Sequence, residues 1–274
     1  MKSLFIWTTV FLLMTATSAG AEPIKAVGKT SVLTYDVYAG GIHAMNAKLS
    51  VHKEATKYNV ALTAETQGML KKLANWSGKF QSQGNLSGVK TFPLSHQSAS
   101  VWKGSTQSKT FKYDGKSRFK SYKMTEDGVD KTPKDVDLSL AKGTTDILSA
   151  TLHLMLTMPK DKVCKGNDLV FDGDRNYRLV FKGTQIEDLV ATNYNIYKGE
   201  AVSCSVEVVP EKGKWRKKPR GWLSIQEQGR NKGSLPTVWF GALKGQPDVY
   251  VPVKIRIKTD YGTLFMHLTS EKVS

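Results

Sequence analysis

From residue 33 onward the hydrophobic positions recur mainly with a period of two. Leu33, Tyr35 and Val37 lead to Gly40-Gly41. Tyr58, Val60, Leu62 and Ala64 keep the same period, as do Phe111 and Tyr113 ahead of Asp114-Gly115. Tyr177, Leu179 and Phe181 alternate with Arg178, Val180 and Lys182. Val253, Ile255 and Ile257 alternate with Lys254, Arg256 and Lys258, and a last run through Leu264, Met266 and Leu268 follows Tyr261-Gly262. Successive strand side chains point to opposite faces, so each run predicts a strand with one buried and one solvated face. That is the pattern of antiparallel sheets. The Gly-Gly and Asp-Gly steps predict tight turns between strands.

One segment departs from this period. Asp146 to Met158 carries Ile147, Leu148, Leu152, Met155, Leu156 and Met158 at helical spacing. Asp146 can accept hydrogen bonds from the free amides of a first helical turn, and Pro159 stops the helix. Such an apolar helix is expected to cover an open end or the concave face of a curved sheet. Gln67 to Trp76 is a second helical candidate, with Leu70, Leu73 and Ala74 on one face. No internal repeat or low-complexity linker interrupts the pattern, and the polar stretch Asp127–Asp137 is the longest predicted connection. The expected fold is mainly β, with one or two short helices in a single domain over residues 22–274.

Residues 1–21 read differently. Lys2 precedes an apolar run from Leu4 to Thr15, and Ala19-Gly20-Ala21 forms a small-residue cleavage site. The run is shorter than the roughly 20 residues of a membrane-spanning helix. This predicts a cleaved secretory signal and a soluble protein in an oxidising exported compartment, a bacterial periplasm. In that setting Cys164 and Cys204 are expected to form a disulfide, for which the chain-entropy model gives roughly 4 kcal/mol. A Cys-x-x-Cys redox motif is absent, and two cysteines with no nearby histidine do not complete a zinc set. The chain carries 40 Lys+Arg against 24 Asp+Glu, a formal charge of +16. Export turns that excess away from nucleic acid and towards anionic envelope components: lipid headgroups, lipopolysaccharide phosphates or wall polymers.

Several of these segments, in this order, also carry a family resemblance. They are Tyr35-Asp36-Val37-Tyr38-Ala39-Gly40-Gly41-Ile42, Trp76, Ser82-Gln83-Gly84 and Pro93, then Asp146-Ile147-Leu148-Ser149-Ala150. Cys164, Phe171-Asp172-Gly173-Asp174-Arg175, Tyr197, Gly199, Cys204 and Pro252-Val253 complete the set. The chain resembles the bacterial domain-of-unknown-function family numbered 3108, whose members are mostly exported. It is also similar to periplasmic cell-envelope integrity proteins built as a curved β-spiral, and through them to lipoprotein carriers. The resemblance implies a strongly curved antiparallel sheet, a half-open barrel or β-spiral. It also implies envelope maintenance or binding of a lipid-like ligand, an analogy of fold rather than of site.

Candidate chemistry is sparse. Asp146, Ser149 and His153 share one helical stripe, but a triad needs the acid on the far nitrogen of the histidine, not beyond the serine. The expected roles are therefore a helix-capping aspartate, a first-turn serine and a histidine at the edge of the core. Asp172-Gly173-Asp174-Arg175 is expected to be a tight turn with Arg175 paired to a carboxylate. Histidines 43, 52, 96, 153 and 267 show no ligand spacing, so no metal or cofactor is expected. Lys212, Lys214, Arg216, Lys217, Lys218 and Arg220 surround Trp215 and Trp222, a composition suited to an anionic ligand surface or peripheral membrane contact. The competing reading is a solvated loop whose two tryptophans pack on the sheet. Leu148, Leu152 and Met155 are the residues expected to line a groove. These features predict a non-catalytic envelope protein that binds a lipid-like or anionic component, or an envelope protein partner. The alternative is a hydrolase acting on cell wall or lipid.

Overall fold

The computed structural model describes residues 28–215, 217, 222–260 and 262–274. The segment 1–21 expected to be a secretory signal, and Arg216, Lys218, Arg220 and Tyr261, thus lie outside the described residues. The chain runs through β1 (Lys29–Ala39), β2 (Ile42–Lys53), β3 (Lys57–Thr66), helix α1 (Gly68–Leu73), β4 (Trp76–Ser87) and β5 (Lys90–Trp102). It continues through β6 (Ser105–Tyr113), β7 (Phe119–Glu126), the short β8 (Val129–Asp130), helix α2 (Ile147–Thr157), β9 (Cys164–Phe171) and β10 (Arg175–Leu189). Last come β11 (Gly199–Gly213), helix α3 (Trp222–Asn231), β12 (Thr237–Leu243), β13 (Gln246–Thr259) and β14 (Gly262–Val273).

All the strands belong to one antiparallel sheet made of two meanders. β1 to β8 form one and β9 to β14 the other, and β1 pairs with β14 to join them. The sheet does not close, since β8 and β9 remain edges. The alternating residues lie as their period requires: Leu33, Tyr35 and Val37 are buried, as are Tyr177, Leu179 and Phe181. Gly40 and Gly41 form the two-residue β1–β2 turn with φ of 58° and 84°. Positive φ at both central positions matches the twist of a hairpin and favours glycine.

The curvature follows from what α2 touches. This helix has 11 residues, about 16 Å of length, yet it packs against both β5 and β9. Those strands are ten places apart in the sheet. In a flat sheet with a strand spacing of ~4.8 Å they would be separated by roughly 48 Å. The sheet therefore wraps around the helix, and seven of the 11 residues of α2 are buried because it is enclosed on most sides.

The gap between the two halves is covered without a continuous ladder. Thr145 forms a parallel bridge to Val170, donating its N–H to Leu169 O at 2.8 Å. Beyond it Phe111 of β6, Tyr122 of β7 and Phe171 of β9 make one aromatic cluster.

Cys164 and Cys204 are joined, with their Cα atoms 5.8 Å apart. They lie in β9 and β11, on either side of β10, where two regular strand spacings would set them ~9.6 Å apart. A disulfide spans only about 4.4–6.8 Å between Cα atoms. The difference is absorbed by a register shift in β10 between Lys182 and Gln185. Gly183 stands there, and a Cβ on it would lie 2.0 Å from the Ser203 carbonyl oxygen. The bridge thus depends on a bulge that only glycine fits.

Both helical segments expected from the sequence form, and α3 is a third. Its start at Trp222 ends the basic segment, and the fold is mainly β with few short helices, as expected. Among the described residues no helix is long and apolar enough to cross a membrane.

Candidate functional site

The concave face is not uniformly filled. Towards β10 to β13 it holds an apolar chamber of about 360 Å³. Leu179, Phe181, Val206, Val208, Val238 and Phe240 form much of its wall, all from alternating inner positions. Ile147 and Thr151, one turn apart on α2, form the side facing the helix. Trp215 and Trp222 also line it. The Arg175 guanidinium stacks 4.2 Å from the Trp215 ring centre, and Arg175 Nε donates to Asp172 Oδ2 at 2.9 Å. The Asp172–Arg175 turn and ion pair therefore form as expected, at the rim of the chamber.

A second chamber of about 310 Å³ opens towards β4, β5 and β6. One side of its wall carries polar groups: His96, Ser98 and Ser100 of β5 stand opposite Phe111, Lys109 and Gln107 of β6 in successive cross-strand pairs, while Phe80, Val170 and Phe171 line the rest. The two chambers share Ile147, Asp172 and Tyr177 as wall residues. Ile147 opens a helix that is otherwise almost enclosed, yet it is 38% exposed between them.

At the base of the polar chamber lies a buried network centred on Asp146, which is 1% exposed. Asp146 Oδ1 accepts from Leu148 N at 3.0 Å, Ser149 N at 2.9 Å and Ser82 Oγ at 2.5 Å. Oδ2 accepts from Ser149 Oγ at 2.6 Å. Since Ser82 gives its proton to Asp146, its contact of 2.8 Å with His96 Nδ1 assigns that ring proton to Nδ1. Since Ser149 gives its proton to Asp146, Tyr58 donates to Ser149 Oγ at 2.6 Å. Burial first, then the charge of Asp146, push the Tyr58 phenol above its ordinary pKa, so it stays neutral and a donor. Burial acts to raise the Asp146 pKa. The hydrogen bond and charge of His96, with the hydroxyls of Ser149 and Ser82, outweigh it and hold the carboxyl below its ordinary value.

This arrangement serves structure rather than proton transfer. Asp146 caps α2 and ties its first turn to β3, β4 and β5. Ser149 is enclosed and its proton is committed, whereas His153 turns away to Asp168, Nδ1 to Oδ2 at 3.3 Å. The structure does not bring Ser149 and His153 together as a catalytic pair.

The groove residues expected from the sequence need correction. Leu148, Leu152 and Met155 are buried in the core and do not line either chamber. The sheet encloses α2 so fully that only the stripe through Ile147 and Thr151 reaches the cavity. The basic segment divides in two. Trp215 and Trp222 turn inward onto the chamber, while Lys212, Lys214 and Lys217 are exposed. Among the described residues no group of three His, Cys, Asp or Glu side chains could hold a metal ion.

Sequence reasoning missed the polar chamber. A signal was present: Ser95 to Val101 reads as Ser-His-Gln-Ser-Ala-Ser-Val, a strand polar on both faces. A strand that is polar towards the core marks an internal surface left wet.

Fold and site together define an open, helix-filled β-sheet protein with a two-part groove on its concave face. Its sequence places it more narrowly. The chain belongs to the family described as a protein of unknown function, DUF3108, whose model matches residues 34–269. The comparison with curated proteins gives no match. Among solved structures the chain is similar to a β-barrel-like protein of domain of unknown function DUF1849 from Brucella abortus. The two are 9% identical with a TM-score of 0.48, over 92% of this chain and 99% of that one.

Proposed function

We propose that this protein binds the apolar chain of a lipid-like envelope component in the apolar chamber and performs no chemistry on it. The observation that carries the reading is the chamber itself. Its volume of about 360 Å³ falls within the 300–1,000 Å³ range of small-molecule sites, and its wall is built from aromatic and branched side chains. A sheet already wrapped around an apolar helix has side chains enough to fill such a space. Here the inner face of β10 to β13 leaves it open.

The setting we infer is the periplasm, on the strength of the amino-terminal secretory pattern and the disulfide. The role we infer is support of envelope integrity. Lys212, Lys214 and Lys217 are exposed in the segment that also supplies Trp215 to the chamber, which suits delivery from or to an anionic surface. The hydrolase reading has less support: Ser149 is enclosed and its hydroxyl proton is held by Asp146.

The test uses the uncharged apolar fluorophore N-phenyl-1-naphthylamine. We expect saturable binding at one site. Val208→Trp and Ile255→Trp, which place a larger side chain into the open volume from half-buried wall positions, should abolish it while leaving the circular dichroism spectrum unchanged. Absence of saturable binding, or binding indifferent to both variants, would overturn the proposal.

A further inference from the structure

The polar chamber adjoining the apolar one has a chemical character of its own. Lys109 Nζ donates to the main-chain oxygen of Asp172 at 3.2 Å and lies 6.0 Å from the Tyr122 ring centre. Among the described residues no carboxylate lies within ion-pair distance of it. The two acids of this chamber are already engaged. Asp172 is paired with Arg175, and Asp146 is satisfied by two amides and two hydroxyls. Lys109 therefore makes no ion pair with the protein in this concave, half-open site, where its one hydrogen bond goes to a main-chain oxygen.

The groups around it are free to bond. Ser98, Ser100 and Gln107 have no side-chain hydrogen-bond partner among the described residues. His96 spends Nδ1 on Ser82, which leaves Nε2 without a protein partner. Hydroxyl, amide and ammonium donors thus converge on a polar chamber that borders an apolar one over the half-exposed side chain of Ile147.

From this juxtaposition we infer that the ligand is a single-chain amphiphile with an acidic head: its chain occupies the apolar chamber, and its carboxylate or phosphate is bound by Lys109 with Ser98, Ser100 and Gln107. The inference rests on the chain-binding function proposed above and adds the head group and its orientation. An acidic head would form the ion pair that Lys109 lacks and would accept from the unpartnered donors. A hydrogen bond to a charged group is stronger than one between neutral groups, which gives the head a measurable share of affinity.

The experiment is calorimetric titration of the full-length mature protein with three probes of equal chain length, each below its micelle concentration. These are hexadecanoate, the monohexadecanoyl ester of glycerol phosphate, and uncharged monohexadecanoyl glycerol. The two acidic probes should bind about tenfold or more tightly than the uncharged one. The stronger of the two identifies the head as carboxylate or phosphate. Lys109→Met keeps the aliphatic stem over Tyr122 and removes the charge. It should bring the acidic probes down to the affinity of the uncharged probe and leave that probe's own affinity unchanged. Equal affinity for all three probes in the native protein, or an acidic preference that survives Lys109→Met, would overturn the head-group inference while the chain site stands. Failure of every probe to bind, together with failure of the neutral fluorophore, would overturn both.

Discussion

Asp146→Ala removes the acceptor on which α2, β4 and β5 converge. The side chain caps α2 through two main-chain amides and takes hydroxyl protons from Ser82 and Ser149, with His96 Nδ1 3.4 Å away. Loss of the cap costs about 1 kcal/mol. Each buried donor left without an acceptor adds about 1–3 kcal/mol. Ser149 can still bond Tyr58 and Ser82 can still bond His96, so one or two groups are stranded rather than all. The expected total is about 3–5 kcal/mol, the usual cost of removing one partner from a buried charged pair. For a chain of this size that is a fall in melting temperature of roughly 10 °C. Asp146→Asn keeps one oxygen for the amides and should lose about half as much. The carboxyl is held below its ordinary pKa, so the unfolded chain takes up its proton first as pH falls. The stabilisation is complete above the unfolded value of about 3.9 and fades as pH drops through the folded one. Denaturant unfolding of the oxidised proteins at pH 7 and at steps down to pH 3 checks both points. The gap between wild type and Asp146→Asn should narrow below about pH 4. A loss under about 1 kcal/mol for Asp146→Ala at pH 7, or parallel acid limbs for wild type and Asp146→Asn, would refute this account of the network.

Other perturbations test separate parts of the fold. Replacing both Cys164 and Cys204 by serine should lower stability by roughly 4 kcal/mol in denaturant, with dithiothreitol reproducing the effect in the wild type. Gly183→Ala puts a methyl group against the Ser203 carbonyl and should cost about 3 kcal/mol or more. Thiol titration under native conditions should then find a larger reactive fraction than in the wild type. His153→Ala acts on a half-exposed pair with Asp168, and a change beyond about 1 kcal/mol in melting analysis would contradict that reading. Arg175→Ala removes both the stacking on Trp215 and the pair with Asp172, and should weaken N-phenyl-1-naphthylamine binding several-fold without a change of fold.

The strands were legible because their inner faces are apolar. Tyr35, Tyr58, Leu179 and Val253 fall on a two-residue period that no other element reproduces. Helix α2 was legible for two reasons, its spacing and its capping aspartate, and both refer to local structure. What its apolar residues pack against is not a local property. Leu148, Leu152 and Met155 form as apolar a set as any groove would need, yet the open sheet wraps far enough around the helix to turn them into core. The residues on the open side are Ile147 and Thr151, and nothing in their spacing distinguishes them from a solvent-facing stripe. Which side of α2 stays open is decided by where β10 to β13 lie, strands that begin only at Arg175, far along the chain from β5, which ends at Trp102.

The polar chamber was hidden for a related reason. Period-two reasoning recognises a strand by the contrast between its faces, and β5 has little contrast because His96, Ser98 and Ser100 point inward while Gln97 and Ala99 point outward. Burying a hydroxyl or an imidazole opposite an apolar helix is costly unless it finds a partner, and Ser82 and His96 are buried while Ser98, Ser100, Gln107 and Lys109 stay half-exposed to the chamber. Asp146 answers that requirement for Ser82 and His96 but does not extend to Ser98, Ser100, Gln107 and Lys109. A sheet that only needed a stable core would place valines at those positions, as β10 to β13 do at theirs. The retained polar groups, next to an apolar space of comparable size, are what an amphiphilic ligand requires, and neither chamber alone would favour that chemistry.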